Sequence, residues 1–141
     1  MHDMNYADQH LISILQTTRS IAVVGASIKP SRASYRVIRF LLDKDYHVIP
    51  VNPSYAGQTV HELPIVARLA DIQDKVDMVD VFRRSEDAGT VVDDAIAIDA
   101  KTVWLQLDII DQNAAARAEK AGLQVVMNRC PAIEYPRLIG E

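Results

Sequence analysis

The chain has a single cysteine, Cys130, so no internal disulfide can form and a reducing compartment is the expected setting. It also lacks an excess of positive charge. Its 15 lysines and arginines stand against 19 acids, a net charge of -4, opposite in sign to that of a general nucleic-acid binder. No apolar run approaches the length of a bilayer crossing. The segment up to Ser20 is polar, carries Asp3, Asp8 and Arg19, and does not have the pattern of a secretory signal. The four histidines, at positions 2, 10, 47 and 61, show no metal-ligand spacing, and no Ser/His/Asp set can be read from the order of residues. The expectation is a soluble cytoplasmic protein with no membrane or nucleic-acid partner, no resident metal and no assignable catalytic residue.

What is present is ordinary globular material. Hydrophobic residues make up 49% and charged residues 24% of 141 residues, enough for one domain that buries roughly two thirds of its unfolded surface. Five short apolar runs recur along the chain: Ser20 to Gly25, His47 to Val51, Met78 to Phe82, Thr102 to Leu107 and Leu123 to Met127. Runs of this kind, apolar on both faces, fit strands of a parallel sheet covered by helices on either side. Segments with helical spacing lie between them, from Tyr35 to Lys44, Glu86 to Asp99 and Asp111 to Ala121, with Asp111 as N-cap and Gly122 as the stop. A further helix is expected over about residues 6–18 and another after Pro131, ending near Leu138. The stretch from Ser54 to Asp77 is irregular and its boundaries are not legible. The alternation predicts one α/β domain over residues 1–141, with its sheet portion over about 20–138: a doubly wound, five-stranded parallel sheet.

In such a sheet, ligands bind where the strands end and the topology reverses. The first strand ends in Gly25-Ala26-Ser27, where a glycine and small side chains permit a tight turn and close approach of a phosphate to the backbone, with the N–H groups that open the following helix pointing at it. Lys29, Arg32, Arg36 and Arg39 follow closely, which points to a polyanion, or else to solvated charges on a helix surface. The dinucleotide fingerprint is incomplete, because Ser27 and Pro30 stand where its second and third glycines belong. The second strand ends in Val51-Asn52-Pro53 and not in the acid that would hold a ribose 2′-hydroxyl, so a nicotinamide-dependent oxidoreductase is disfavoured. Arg83 and Arg84 close the third run, either as phosphate clamps or in an exposed salt bridge with Glu86 or Asp87. Trp104 reads as core, Gln106 as a partner of a ligand or of the backbone, and Cys130 as buried packing whose thiol a neighbouring cation could make more acidic.

These strand ends carry a resemblance. The segments IAVVGAS (21–27), SYR (34–36), VIPVNP (48–53), VDMVDVFRR (76–84), VWLQL (103–107) and VVMNRC (125–130) are similar to the small stand-alone CoA-binding proteins of bacteria and archaea. Those proteins resemble in turn the CoA-binding domain of the succinyl-CoA synthetase α-subunit. The resemblance covers about residues 10–138 and implies a Rossmann-like fold that binds coenzyme A or an acyl-CoA with no attached catalytic domain. Carried over position by position, it implies pyrophosphate at Gly25, Ala26 and Ser27, with phosphate charge neutralised by Lys29 and Arg36. The adenosine and pantetheine path would be lined by Asn52, Pro53, Val81, Phe82 and Arg83. A nucleotide-responsive regulatory protein is the alternative to a plain binder. The phosphorylated histidine of the synthetases has no counterpart here, so the resemblance does not imply ligase activity. Where the family usually has glycine this chain has Asp45, Asp99 and Asp108, and where it usually has aspartate, Asn128. Asp45 and Asp99 are expected at helix C-terminal ends with φ > 0, and Asp108 in the cleft, where its carboxylate would repel phosphate.

Overall fold

In the computed structural model, which describes residues 1–140, helix α1 (Asp8–Thr17) buries Leu11, Ile14 and Leu15 and leads into the first strand. Glu141, the last residue of the expected domain, lies outside that range. Strand β1 (Ser20–Val24) has every residue buried, which explains why its sequence shows no alternation. Its even side, Ala22 and Val24, packs toward α3 (Ser85–Ala97) and α4 (Gln112–Lys120). Its odd side, Ile21 and Val23, packs toward α1, α2 (Ala33–Asp43) and α5 (Pro131–Leu138).

Strands β2 (His47–Val51), β5 (Met78–Val81), β6 (Thr102–Leu105) and β7 (Gln124–Val126) complete a parallel sheet of five strands in the order β2-β1-β5-β6-β7. This is the doubly wound, Rossmann-like α/β fold. Its order reverses between β1 and β5, so the carboxyl ends of those two strands flank the crevice. Strand β2 matches its apolar run, and the other four are a residue or two shorter, because Gly25, Phe82, Gln106 and Met127 already belong to the loops at the carboxyl ends.

The irregular stretch after β2 holds a short antiparallel hairpin, β3 (Thr59–Val60) and β4 (Leu63–Pro64), turning through His61 and Glu62 at φ 48° and 68°. Positive φ at both turn residues is the geometry that matches strand twist, though it usually selects Asn or Gly, which is why the turn was not legible. After the hairpin Val66 bridges Val51 in parallel, bonding Asn52 N–H to Val66 O and Val66 N–H to Pro50 O. The proline in β2 is tolerated because only a single bridge, not a full strand, lies beyond it.

Three helices end in one motif. In α2, α3 and α4 the residues after the cap, Asp45, Asp99 and Gly122, have φ of 67°, 61° and 93°. Asp45 N–H bonds Leu42 O while Tyr46 N–H bonds Leu41 O, and the pattern repeats at Asp99 with Ala100 and at Gly122 with Leu123. The two aspartates stand in the left-handed conformation expected of them.

Candidate functional site

A cleft of about 580 Å³ runs along the carboxyl edge of the sheet. Asn52, Gly25, Phe82 and Gln106, which line it, follow β2, β1, β5 and β6 respectively, and Cys130 joins them from the loop after β7, in contact with Gln106.

The end nearest β1 and β2 is shaped by close packing. Gly25, at φ 90°, lies so near β5 that a Cβ there would sit 2.3 Å from Phe82 O. Only glycine fits. The turn's N–H groups, however, are not free: Gly25 and Ala26 donate to Val51 O at 2.9 and 3.2 Å, and Ser27 donates to Ser34 Oγ at 3.1 Å. The turn's own amides are therefore spent within the fold, the first two on Val51 through the tight β1–β2 pairing and the third on Ser34.

The anion-seeking groups are instead at the start of α2. Its N-cap residue is Arg32, with no side-chain cap and no acid in the first turn. Among the described residues, the N–H groups of Ala33, Ser34 and Tyr35 have no protein acceptor, although Ala33 and Ser34 line the cleft. An uncapped helix start with an arginine in place of an acid is electrostatically unfavourable unless an anion sits against it. Ser27 and Ser34 reinforce this. Both line the cleft, are 8% and 2% exposed, and accept bonds from Lys29 N–H and Ser27 N–H, yet neither hydroxyl proton has a protein acceptor among the described residues.

The other residues expected at the site divide. Asn52 is buried in the wall, donating to Ala26 O at 2.8 Å and accepting from Ser54 N–H at 2.9 Å. That leaves no carboxylate at the end of β2 for a ribose. Phe82 and Arg83 line the cleft, and among the described residues Arg83 has no ion-pair partner, whereas Arg84 pairs with both Glu86 and Asp87 at 3.1 Å. Arg84 thus makes the exposed salt bridge expected of that pair, although it too lines the cleft. Ala26 and Val81 are fully buried and Pro53 is exposed, none of them in the lining. Lys29 is exposed outside the lining, and Arg36 turns back to Ser31 O at 2.9 Å, so Arg32 stands where Arg36 was expected. Asp108 is also outside the lining. At φ 69° it donates its N–H to Asn128 Oδ1, itself at φ 61°, and accepts at its carbonyl from Ser85, which fixes the loop without placing the carboxylate in the cleft.

The part of the cleft over β5 and β6 has a different character. Asp80, wholly buried in β5, was passed over in the sequence because it sits inside an apolar run. Burial pushes its carboxyl well above the usual carboxylate range. The Gln106 amide reaches its two oxygens at 2.9 and 3.2 Å and also contacts Cys130. An ionised Asp80 takes the amide N–H and leaves the Gln106 carbonyl toward the thiol. A protonated Asp80 donates to that carbonyl and turns the N–H toward sulfur. Gln106 thus serves a buried side chain, not the backbone. Burial pushes the Cys130 thiol up, against the N–H groups of Ala132 and Ile133 at the start of α5. Arg129, the cation expected to make it more acidic, is engaged elsewhere, with Glu134 at 3.3 Å and over the Tyr6 ring. Trp104 is core, its Nε1–H donating to Arg129 O at 2.8 Å.

A crevice at the topological reversal of a parallel sheet, with an uncapped helix start and cations at one end, defines a nucleotide-type binding protein of the open α/β class. The chain belongs to the CoA-binding domain family, whose pattern matches residues 19–136. It is 34% identical over 134 residues to the uncharacterized protein YneT of Bacillus subtilis (strain 168), covering 93% of this chain and 96% of that one. The crystal structure of a PH1109 protein redesigned for binding superposes with a TM-score of 0.93 at 39% identity, covering 97% of this chain and 95% of the other. A dinucleotide-forming acetyl-coenzyme A synthetase from Ca. Korarchaeum cryptofilum is similar over 75% of this chain, with TM-score 0.65 and 26% identity, but only 25% of its own length is covered. No helix among the described residues is long and apolar enough to cross a membrane.

Proposed function

We propose that this protein binds coenzyme A or an acyl-CoA as a ligand, with the diphosphate at the start of α2, and serves as a binding protein without chemistry of its own on the acyl group. The observation that carries this reading is the uncapped α2 N-terminus, where Arg32, two buried hydroxyls and unpaired N–H groups meet in one end of the cleft. Charge-assisted bonds to phosphate oxygens satisfy all of them together. In this reading Gly25 lets the phosphate come close, Ser27 and Ser34 donate to it, and Arg32 and Arg83 neutralise it, with Lys29 at the mouth. Asn52 holds the wall, and Phe82 flanks the path of the pantetheine arm. Asn52 also argues against a nicotinamide cofactor, since both ends of its amide are committed to backbone.

Thermal unfolding with and without ligand tests the reading. CoA is expected to raise the melting temperature, and desulfo-CoA to do nearly as well, because the phosphates supply the affinity. No shift with CoA or acetyl-CoA at millimolar concentration overturns it, and a shift with NADH or NADPH alone would replace it with the oxidoreductase reading.

A further inference from the structure

We propose that Cys130 is a modification site that exchanges with the sulfur of a CoA disulfide held in the cleft, forming a Cys130–CoA mixed disulfide. The inference rests on the CoA reading above and deepens it. Its basis is the placement of two ends in one cleft. The anion-seeking groups Arg32, Ser27 and Ser34 lie beside β1 and β2, and the two hydroxyls, each more than nine-tenths buried, have no acceptor for their protons among the described residues. Cys130 lines the same cleft further along, in contact with Gln106 at the end of β6. A ligand anchored by phosphate at the first end and extended across the strand ends brings its terminal sulfur toward the second. Phe82 and Ile109 line the cleft along the way and offer apolar surface to the arm.

Burial holds the Cys130 thiol up, and polar contacts at its sulfur act against that burial. Gln106, in contact with Cys130, can turn its N–H to sulfur when Asp80 holds a proton, and the N–H groups of Ala132 and Ile133 face the same sulfur from α5. The step balances without an outside oxidant. The Cys130 thiolate attacks one sulfur of the CoA disulfide, the S–S bond breaks as the Sγ–S bond forms, and CoA thiolate leaves and takes up the proton the thiol lost. Cys130 is oxidised and one CoA half is reduced.

The test uses the full chain, reduced, with CoA disulfide or glutathione disulfide at equal concentration, followed by intact-protein mass. Cys130 is the chain's one cysteine, so any adduct reversed by dithiothreitol resides on it. Recruitment into the cleft is expected to make the CoA adduct form at least about tenfold faster than the glutathione adduct, and desulfo-CoA to abolish that excess. Equal rates, or an excess that desulfo-CoA leaves untouched, overturn the proposal. A melting-temperature shift with desulfo-CoA on the same preparation separates the two failures. A shift with equal rates sinks only the exchange, and no shift with equal rates sinks the CoA reading along with it.

Discussion

The two ends of the parallel strands carry similar chemistry and use it in opposite ways. At the amino ends, polar groups close on one another. Asp77, next to β5, accepts from the N–H groups of Arg19 and Ser20 at 2.8 and 3.2 Å and faces Lys101 at 3.5 Å, while three helices end in the same self-satisfying turn. At the carboxyl ends, the N–H groups that start α2, the Arg83 guanidinium and the protons of two serine hydroxyls have no protein acceptor among the described residues. The contrast teaches that the unsatisfied polar groups of this fold are concentrated where a ligand can complete them. It is sharpest between Asp77 and Asp80, three residues apart. Burial raises both carboxyls, but at Asp77 the bonds from Arg19, Ser20 and Lys101 outweigh it and leave the group below its usual range, while nothing offsets it at Asp80.

Glycine substitutions test the contrast most strongly. Gly25→Ala drives a Cβ to 2.3 Å from Phe82 O at a positive φ, and is expected to cost about 3 kcal/mol or more in denaturant unfolding. Gly122→Ala shares the positive φ but meets nothing within 4 Å, so it should cost only about 1 kcal/mol. Similar losses at both positions would erase the distinction between a crowded end and an open one. Next in size are the cations. Arg32→Ala and Arg83→Ala should each weaken CoA by about 1.5–3 kcal/mol in calorimetric titration, while Arg117→Ala, on α4 and paired with Asp93, should leave affinity unchanged. Equal effects from all three would misplace the site.

The two aspartates give opposite pH signatures. Asp77, depressed in the folded state, stabilises above the unfolded carboxylate range and loses that contribution as pH falls through its folded value. Asp77→Asn should therefore match wild type in acid and fall about 1–3 kcal/mol below it near neutrality. Asp80, raised in the folded state, favours folding most below its unfolded value and loses that advantage as pH rises. Asp80→Asn should gain on wild type as pH rises from about 4. Melting curves across pH that move in the same direction for both variants would refute the assignment. The smallest effect belongs to Asp99→Gly, which removes a left-handed aspartate and a charge at the negative end of α3, and should stabilise by about 0.5–1 kcal/mol.

Much of the fold was legible because its signals are local. The five apolar runs, the Asp111 cap of α4, which accepts from Ala114 N–H at 3.0 Å, and the Gly122 stop all lie where their residue types direct. The 54–77 region was not legible, since its turn uses His61 and Glu62 in conformations that other residues usually occupy. The cleft was half legible. Strand-end residues named it, but which of them face inward depends on hydrogen bonds that no residue pattern shows. Val51 takes the turn amides, Ser31 draws Arg36 aside, and Arg32 enters the lining.

The sequence by itself determined the alternation of buried strands and amphipathic helices, hence a parallel sheet with a crevice at its reversal, because hydrophobic periodicity and cap chemistry act over a few residues. Only the tertiary structure decided which polar groups remain unpaired and which are consumed. Hydrogen bonds such as Asn52 to Ala26 and the contact of Asp80 with Gln106 join elements far apart in the chain, and burial, which pushes Asp80 up, belongs to the packed molecule and to no single segment of it.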